Sequence, residues 1–211
     1  GFIGSQIAKK FVSEDFEVFC FSRNIPDKNQ LDNVSYLKGD LKEKNTLMDI
    51  TKNIDLIFHC GSSSSPSKKD SEADEEKNTI NLVDSFFHNN VKRLIFFSSG
   101  GAIYGDNLKE PSKENDTLNP ISDYGITKYR IEKFLVEKFK HDKKRILILR
   151  PSNPYGLPIK NNKRQGVVPI FLNSLKMGKD IEVFGDGSTI KDYIYIDDLI
   201  EIVFNLTVNN N

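Results

Sequence analysis

A tyrosine and a lysine four residues apart stand in the stretch Tyr124-Gly125-Ile126-Thr127-Lys128, and the apolar spacing of Ile131, Phe134 and Leu135 behind them predicts that they open a long helix. Residues at i and i+4 share one helix face a turn apart, so the ammonium and the phenol can be neighbours. An ordinary tyrosine gives up its proton at a pH of roughly 10, and a positive charge alongside favours the ionised form. Such a pair can take a proton from an alcohol near neutral pH. The same spacing also arises by chance on solvated helix faces, so its meaning depends on what the rest of the chain brings to it.

Two other stretches carry chemistry-bearing residues. Ser98-Ser99-Gly100-Gly101 follows the apolar run Leu94-Ile95-Phe96-Phe97, so the two serines are expected at the carboxyl end of a buried strand. In open α/β sheets that edge is where ligands bind, although a plain strand-to-loop exit has the same residues. The chain opens on Gly1-Phe2-Ile3-Gly4, with Ile7, Ala8, Phe11 and Val12 at helical spacing after it. Glycines at the mouth of a helix let the backbone approach a diphosphate at the helix amino terminus, a reading that needs a strand immediately before them.

These residues need elements to position them, and the pattern along the chain supplies alternating strands and helices. Residues 17–23, 34–38, 55–59, 92–97 and 146–149 read as buried strands. Helical patterns follow Gly4, surround Leu47 and Ile50, run through Ile80, Leu82, Val83 and Phe86, and follow Tyr124. Strand and helix in repeated alternation predict a parallel sheet wrapped by helices. The polar segment 61–77 is expected to be a loop leading into an acidic first helical turn.

Ser22 and Arg23 end the first of these strands, where a dinucleotide-binding unit tests the adenosine ribose. An acid there would favour NAD. Arg23 can instead pair with a 2′-phosphate, stack on an adenine or simply face solvent, so NADP stays open. Asp40, past the end of the next strand, can meet a ligand or cap a helix. His59 ends its own strand without a second metal ligand near it in sequence, and is expected to be structural. Toward the end of the chain, Gly185-Asp186-Gly187-Ser188 between two β-like runs predicts a hairpin, Lys191, Tyr193 and Tyr195 share a strand face, and Asp197-Asp198 is expected to cap the next helix.

Composition excludes several classes. The chain of 211 residues is 37% hydrophobic and 28% charged, enough for one sizeable domain with a small attachment. Its 30 basic and 30 acidic residues balance, which argues against a nucleic-acid or anionic-membrane surface. No apolar run is long enough to span a bilayer, and there is no signal peptide pattern. Cys20 and Cys60 lie in apolar runs without metal-ligand spacing and are expected to be buried thiols of a cytoplasmic protein. No metal is expected.

Five stretches, in this order and spacing, carry a resemblance: Gly1-Phe2-Ile3-Gly4; Gly39-Asp40-Leu41; Ser98 through Gly105; Tyr124-x-x-x-Lys128; and Arg150-Pro151-Ser152-Asn153-Pro154-Tyr155-Gly156. Together they resemble the extended short-chain dehydrogenase/reductases, and within them the NAD-dependent epimerase/dehydratase family, nearest its UDP-glucose 4-epimerase-like members. The resemblance covers nearly the whole chain. It implies a Rossmann-type doubly wound parallel sheet whose first strand is missing, with an NAD(P)-binding domain over residues 1–156 and part of a small substrate-binding region over 157–211. A polypeptide of these residues alone is therefore expected to expose a sheet edge and to be unstable and inactive. The full-length protein is expected to be a homodimer acting on a nucleotide sugar.

The resemblance also implies roles. Tyr124 would be the base that takes the sugar hydroxyl proton, and Lys128 would hold the cofactor ribose and favour the phenolate. Gly1, Phe2, Ile3, Gly4, Ser22, Arg23, Asp40, Leu41 and Ser98 would line the NAD site. Asn153, Val167, Val183, Phe184, Lys191 and Ser99 would meet the substrate. In an epimerase the 4-keto intermediate turns over and takes the hydride back on its other face, so the cofactor is regenerated each cycle.

Four positions depart from the family pattern. Gly100 stands where a serine or threonine usually completes the site, leaving Ser99 as the nearest hydroxyl. Ser22 replaces the ribose-binding acid. Lys191 replaces an arginine and loses its bidentate geometry. Glu75 stands near the place of an asparagine. Gly101 and Ala102 occupy the place of a dehydratase acid pair, which disfavours dehydration. The expected activity is 4-epimerisation of UDP-hexoses; the alternatives are an NADP-dependent reductase of a nucleotide-linked keto sugar and a non-catalytic nucleotide-binding relative.

Overall fold

The computed structural model describes residues 1–25, 31–61, 71–105, 111–156 and 166–208. Most of the polar stretch 61–77 (residues 62–70) falls outside them. The chain divides into two compact units, Gly1–Arg150 and Pro151–Asn211.

The first unit alternates strand and helix throughout. Helix α1 (Phe2–Ser13) leads to strand β1 (Val18–Ser22), then β2 (Val34–Lys38), α2 (Lys44–Ile50) and β3 (Leu56–His59). Helix α3 (Ser71–His88), β4 (Arg93–Phe97), the short α4 (Gly100–Ile103), α5 (Asp123–Lys138) and β5 (Ile146–Leu149) complete it. All its strand pairs are parallel, as expected for connections that cross over through helices. This is the α/β, Rossmann-type arrangement anticipated from the sequence. The strands form two ladders, β1 with β2 and β3-β4-β5, and no hydrogen-bonded ladder joins β1 to β3 among the described residues.

Strand β4 is the most deeply buried, flanked by β3 and β5 and covered by helices. Its Leu94 and Phe96 lie in a core with Phe86 from α3, Ile131 and Leu135 from α5, and Phe139. The rings of Phe86 and Phe139 meet edge to face at 5.1 Å. Burying side chains of this size stabilises by about 1.5–3 kcal/mol each, which holds α3 and α5 against the sheet. Helix α1 buries Ile7, Ala8 and Phe11, and Phe11 packs 4.9 Å from Phe58 of β3. Cys20 and Cys60 are both of intermediate exposure as residues, with the Cys60 thiol itself turned inward.

Helix α4 was not anticipated, because Gly100 and Gly101 read as a loop. Ser99 adopts extended geometry as its N-cap, and the chain then makes a single helical turn through Ile103.

The second unit contains β6 (Asn153–Tyr155), α6 (Val167–Lys176), β7 (Tyr193–Tyr195) and α7 (Ile196–Val208). Here the sequence expectation of a hairpin is corrected. Residues 181–184 form no strand, and β7 pairs in parallel with β6 instead. The turn itself is present, but it closes on its own side chains: Asp186 Oδ1 accepts from Ser188 N at 3.0 Å and Ser188 Oγ at 2.6 Å. Phe184 and Ile190, on either side of it, are 84% and 92% exposed, so nothing in the described residues packs them as a β-ribbon. Asp197 and Asp198 do fall in the first turn of α7.

Candidate active site

Helix α5 begins where the sequence places it. Ser122 is its N-cap, and its hydroxyl accepts a hydrogen bond from Gly125 N at 3.1 Å. Gly125 allows α5 to start against α4: a Cβ there would lie 2.4 Å from the backbone oxygen of Ala102. The face turned inward carries Thr127, Lys128, Ile131, Glu132 and Leu135. Two of these are charged, and buried charges need partners from elsewhere in the fold.

Lys128 finds its partners at the end of β4 and on α3. Its Nζ donates to Phe97 O at 3.2 Å, and a carboxylate oxygen of Glu75 lies 2.8 Å away. The ammonium also sits 5.0 Å from the centre of the Phe96 ring and 5.6 Å from that of Tyr124. Tyr124 is 36% exposed, so the phenol stands at the solvent side of a sealed ammonium. Glu132, two turns after Tyr124, is taken by Arg150 at the end of β5, which also donates to Tyr104 Oη and Glu114 O. The bonds to Glu132, first, and to Tyr104 raise Arg150 above the usual guanidinium range.

A second layer stands behind Lys128. Thr79 Oγ1 donates to Glu75 O at 2.9 Å, and His59 Nε2 lies 3.0 Å from the same hydroxyl. The threonine has a single proton, already given to the carbonyl, so His59 must donate and carries its proton on Nε2. Burial, reinforced by the Lys128 charge and opposed by Glu75, pushes His59 down to about 4. Burial likewise pushes the Cys60 thiol up to about 12. Both groups are thus neutral at neutral pH, and His59 is held in this layer by Thr79.

The other sequence-derived positions of this unit distribute as follows. Gly1 is the N-cap of α1, with no side chain capping it, and Phe2, Ile3 and Gly4 form its first turn. A Cβ on Gly4 would lie 3.5 Å from Cys60 Cβ, which brings this turn to the end of β3. Ser98 is buried and its hydroxyl has no hydrogen-bond partner among the described residues, whereas Ser99 is half-buried at the head of α4. Ser22 Oγ is spent on Asn24 O at 2.8 Å. Asp40 Oδ1 accepts from Lys42 N at 3.1 Å rather than capping α2, whose N-cap is Glu43. Leu41 O accepts from Asn81 Nδ2 of α3 at 3.1 Å. Lys42 in turn pairs with Asp74 of α3 at 2.6 Å, which raises its pKa. Helix α3 therefore ties the end of β2 to Lys128.

In the second unit Asn153, Val167 and Lys191 line one cavity together with Gly166 and Tyr193. Asn153 Nδ2 donates to Asp192 O at 2.8 Å. Val183 and Phe184 do not line this cavity and are exposed.

Sequence reading missed Glu75 as the partner of Lys128, because it sits in the acidic run Glu72 to Glu76 that reads as a favourable first helical turn. It also passed over Glu132, although Tyr124, Lys128 and Glu132 continue one i, i+4 stripe. Among the described residues there is no cluster of metal-ligand side chains, and no helix is long and apolar enough to cross a membrane.

A dinucleotide suits these residues: the orphaned buried hydroxyl of Ser98 and the start of α1, without a side-chain cap, both offer hydrogen bonds that no described residue takes up. Comparison with known proteins points the same way. The model of the NAD dependent epimerase/dehydratase family matches residues 1–210. The chain is 31% identical to the dTDP-4-dehydro-6-deoxyglucose reductase of Escherichia coli, over 95% of this chain and 68% of that one. It is 28% identical to a putative UDP-glucose 4-epimerase of Methanocaldococcus jannaschii, over 94% and 68%. The crystal structure of the UDP-glucose 4-epimerase of Thermotoga maritima with UDP-glucose superposes with a TM-score of 0.85 at 30% identity, covering 95% of this chain and 68% of that one.

Proposed function

The chain belongs to the NAD dependent epimerase/dehydratase family, and from that premise we propose that it interconverts UDP-hexoses at carbon 4 through transient oxidation of the sugar. The observation that carries this reading is the Tyr124/Lys128 pair: a half-open phenol over a buried ammonium, at the carboxyl end of β4. In it Tyr124 takes the proton of the C4 hydroxyl and returns it, while Lys128 supplies the positive charge beside it. Ser99 offers the hydroxyl nearest the place of Gly100. NAD, when bound, supplies reversible two-electron oxidation. Gly1 to Gly4, Ser22, Arg23, Asp40, Leu41 and Ser98, with Tyr124 and Lys128, would hold it. Asn153, Val167 and Lys191 would meet the nucleotide sugar, with Val183 and Phe184 near its base. We assign dinucleotide binding to residues 1–156 and substrate binding to 157–211.

The test is incubation of the full-length protein with UDP-glucose or UDP-N-acetylglucosamine, without added cofactor, and analysis of the product sugar. Equilibration with the 4-epimer is expected. A protein that retains NAD yet leaves every UDP-hexose unchanged would sink the proposal.

A second reading, an NADP-dependent reductase of a nucleotide-linked keto sugar, has its own support. Arg23 directly follows β1, beside the position where an acid would select NAD, and a cation there suits a 2′-phosphate. The 31% identical relative carries the name of a keto-sugar reductase. Stoichiometric NADPH oxidation, with no turnover in its absence, would favour this reading over the first.

A further inference from the structure

The proposed chemistry gives no role to the buried carboxylate of Glu75. Glu75 and Lys128 come from different helices, lie 2.8 Å apart, and their side chains are 3% and 4% exposed. At the surface such a pair is screened by water; in a sealed site the two charges act on their neighbours at close range and largely cancel. Several groups face the ammonium. Glu75 does so from α3, His59 and Cys60 from the end of β3, Phe96 and the Phe97 carbonyl from β4, and Tyr124 from its own helix. His59 is neutral, Cys60 keeps its proton, and Glu132 is bound to Arg150. Glu75 is the carboxylate set against Lys128.

We propose that Glu75 is a positioning residue that sets the field on Tyr124: its carboxylate holds the Lys128 ammonium toward α3 and cancels part of the positive potential reaching the phenol. This rests on reading Tyr124 and Lys128 as the proton-handling pair. Replacing Glu75 by glutamine keeps an oxygen that can accept from Lys128 Nζ but removes the negative charge. Tyr124 then faces an ammonium with no counter-charge, and its phenolate forms at lower pH.

Tyrosinate absorbance can be followed in a pH titration of the full-length protein, read as the difference between variants that share every other chromophore. Glu75→Gln is expected to move the onset of that absorbance down by about one pH unit, and the shift is expected to vanish when Tyr124→Phe is added. Where turnover is measurable, the acid limb of kcat should move in the same direction with KM little changed. An onset that stays in place or moves upward in folded Glu75→Gln overturns the assignment. Glu75→Asn gives a second neutral variant, expected to shift the onset the same way. If neither variant folds, Glu75 is a structural support and the assignment is overturned as well. The titration needs no turnover, so a protein that shows the shift but is inert toward every nucleotide sugar would sink the proposed function and leave this inference standing.

Discussion

Arg150 grips the carboxylate of Glu132 with three contacts: Nε donates to Oε1 at 3.0 Å and to Oε2 at 3.2 Å, and a terminal guanidinium nitrogen donates to Oε2 at 2.6 Å. The glutamate side chain is 4% exposed, so the pair joins the end of β5 to the inner face of α5 where water screens it little. Removing one partner leaves a charge buried without its counter-ion. Arg150→Ala, which strands the sealed Glu132 carboxylate, is expected to destabilise the protein by about 3–5 kcal/mol, measured by urea unfolding. Arg150→Lys keeps the charge but loses the fork, and should fall between the two. Equal stability of all three would show that the pair contributes nothing net.

Tyr124→Phe removes the phenolic proton acceptor while leaving the ring beside Lys128. The turnover of the full-length enzyme is expected to fall by about 10²–10⁴-fold with little change in melting temperature, which is the usual weight of a positioned acid or base. Retention of most of the activity would point to the non-catalytic alternative or to a different base.

Stability should depend on pH through His59. Its folded value, about 4, lies below the ordinary histidine value of 6.5, so the unfolded chain binds a proton that the native state refuses. The native state is therefore unaffected by this group above about pH 6.5 and loses stability as pH falls from there toward about 4, by about 3 kcal/mol in all. In His59→Asn that slope should flatten, with the remaining carboxylates giving what acid sensitivity is left. Chemical denaturation at closely spaced pH values reads the difference directly.

Gly125→Ala tests the contact between α4 and α5. The added methyl would meet the Ala102 backbone oxygen at 2.4 Å, and a carbonyl in a helical turn has little room to give. A fall in melting temperature is expected, together with a loss of activity larger than stability alone explains, because Tyr124 is the adjacent residue. An unchanged crystal structure and full activity would show that the helix start can slide without consequence.

Much of this architecture was legible in the sequence, and the reason is periodicity. Strands β2 and β5 fall where their apolar runs do, and α5 opens one residue before Tyr124, ahead of its apolar stripe. The Tyr124/Lys128 geometry follows from helix spacing alone. What escaped depends on pairs that spacing does not encode. Glu75 and Lys128 are brought together only by the packing of α3 on α5, and the parallel partner of β7 lies across a long connection. The Asp-Gly turn misled for a related reason: it fixes a local reversal, while a hairpin also needs flanks that find burial, and Phe184 and Ile190 do not. Ser98 and Ser99 were both expected at the strand end, but sequence alone does not give their exposure: alternation buries one and leaves the other half-open.

The meeting of Glu75 with Lys128 also fixes the alignment of two helices. A slide of α3 along α5 by one turn, about 5.4 Å, would bring Thr79 to the place of Glu75 and leave the ammonium opposite a hydroxyl. It would also carry Asn81 away from Leu41 O and Asp74 away from Lys42. Apolar ridges such as those of Phe86 and Leu135 can interlock at more than one offset, but a sealed charge accepts only the offset that supplies its opposite. The ion pair thus serves as a keyed stop, and the charge beside the phenol and the register of the helices that carry it are specified by the same two residues.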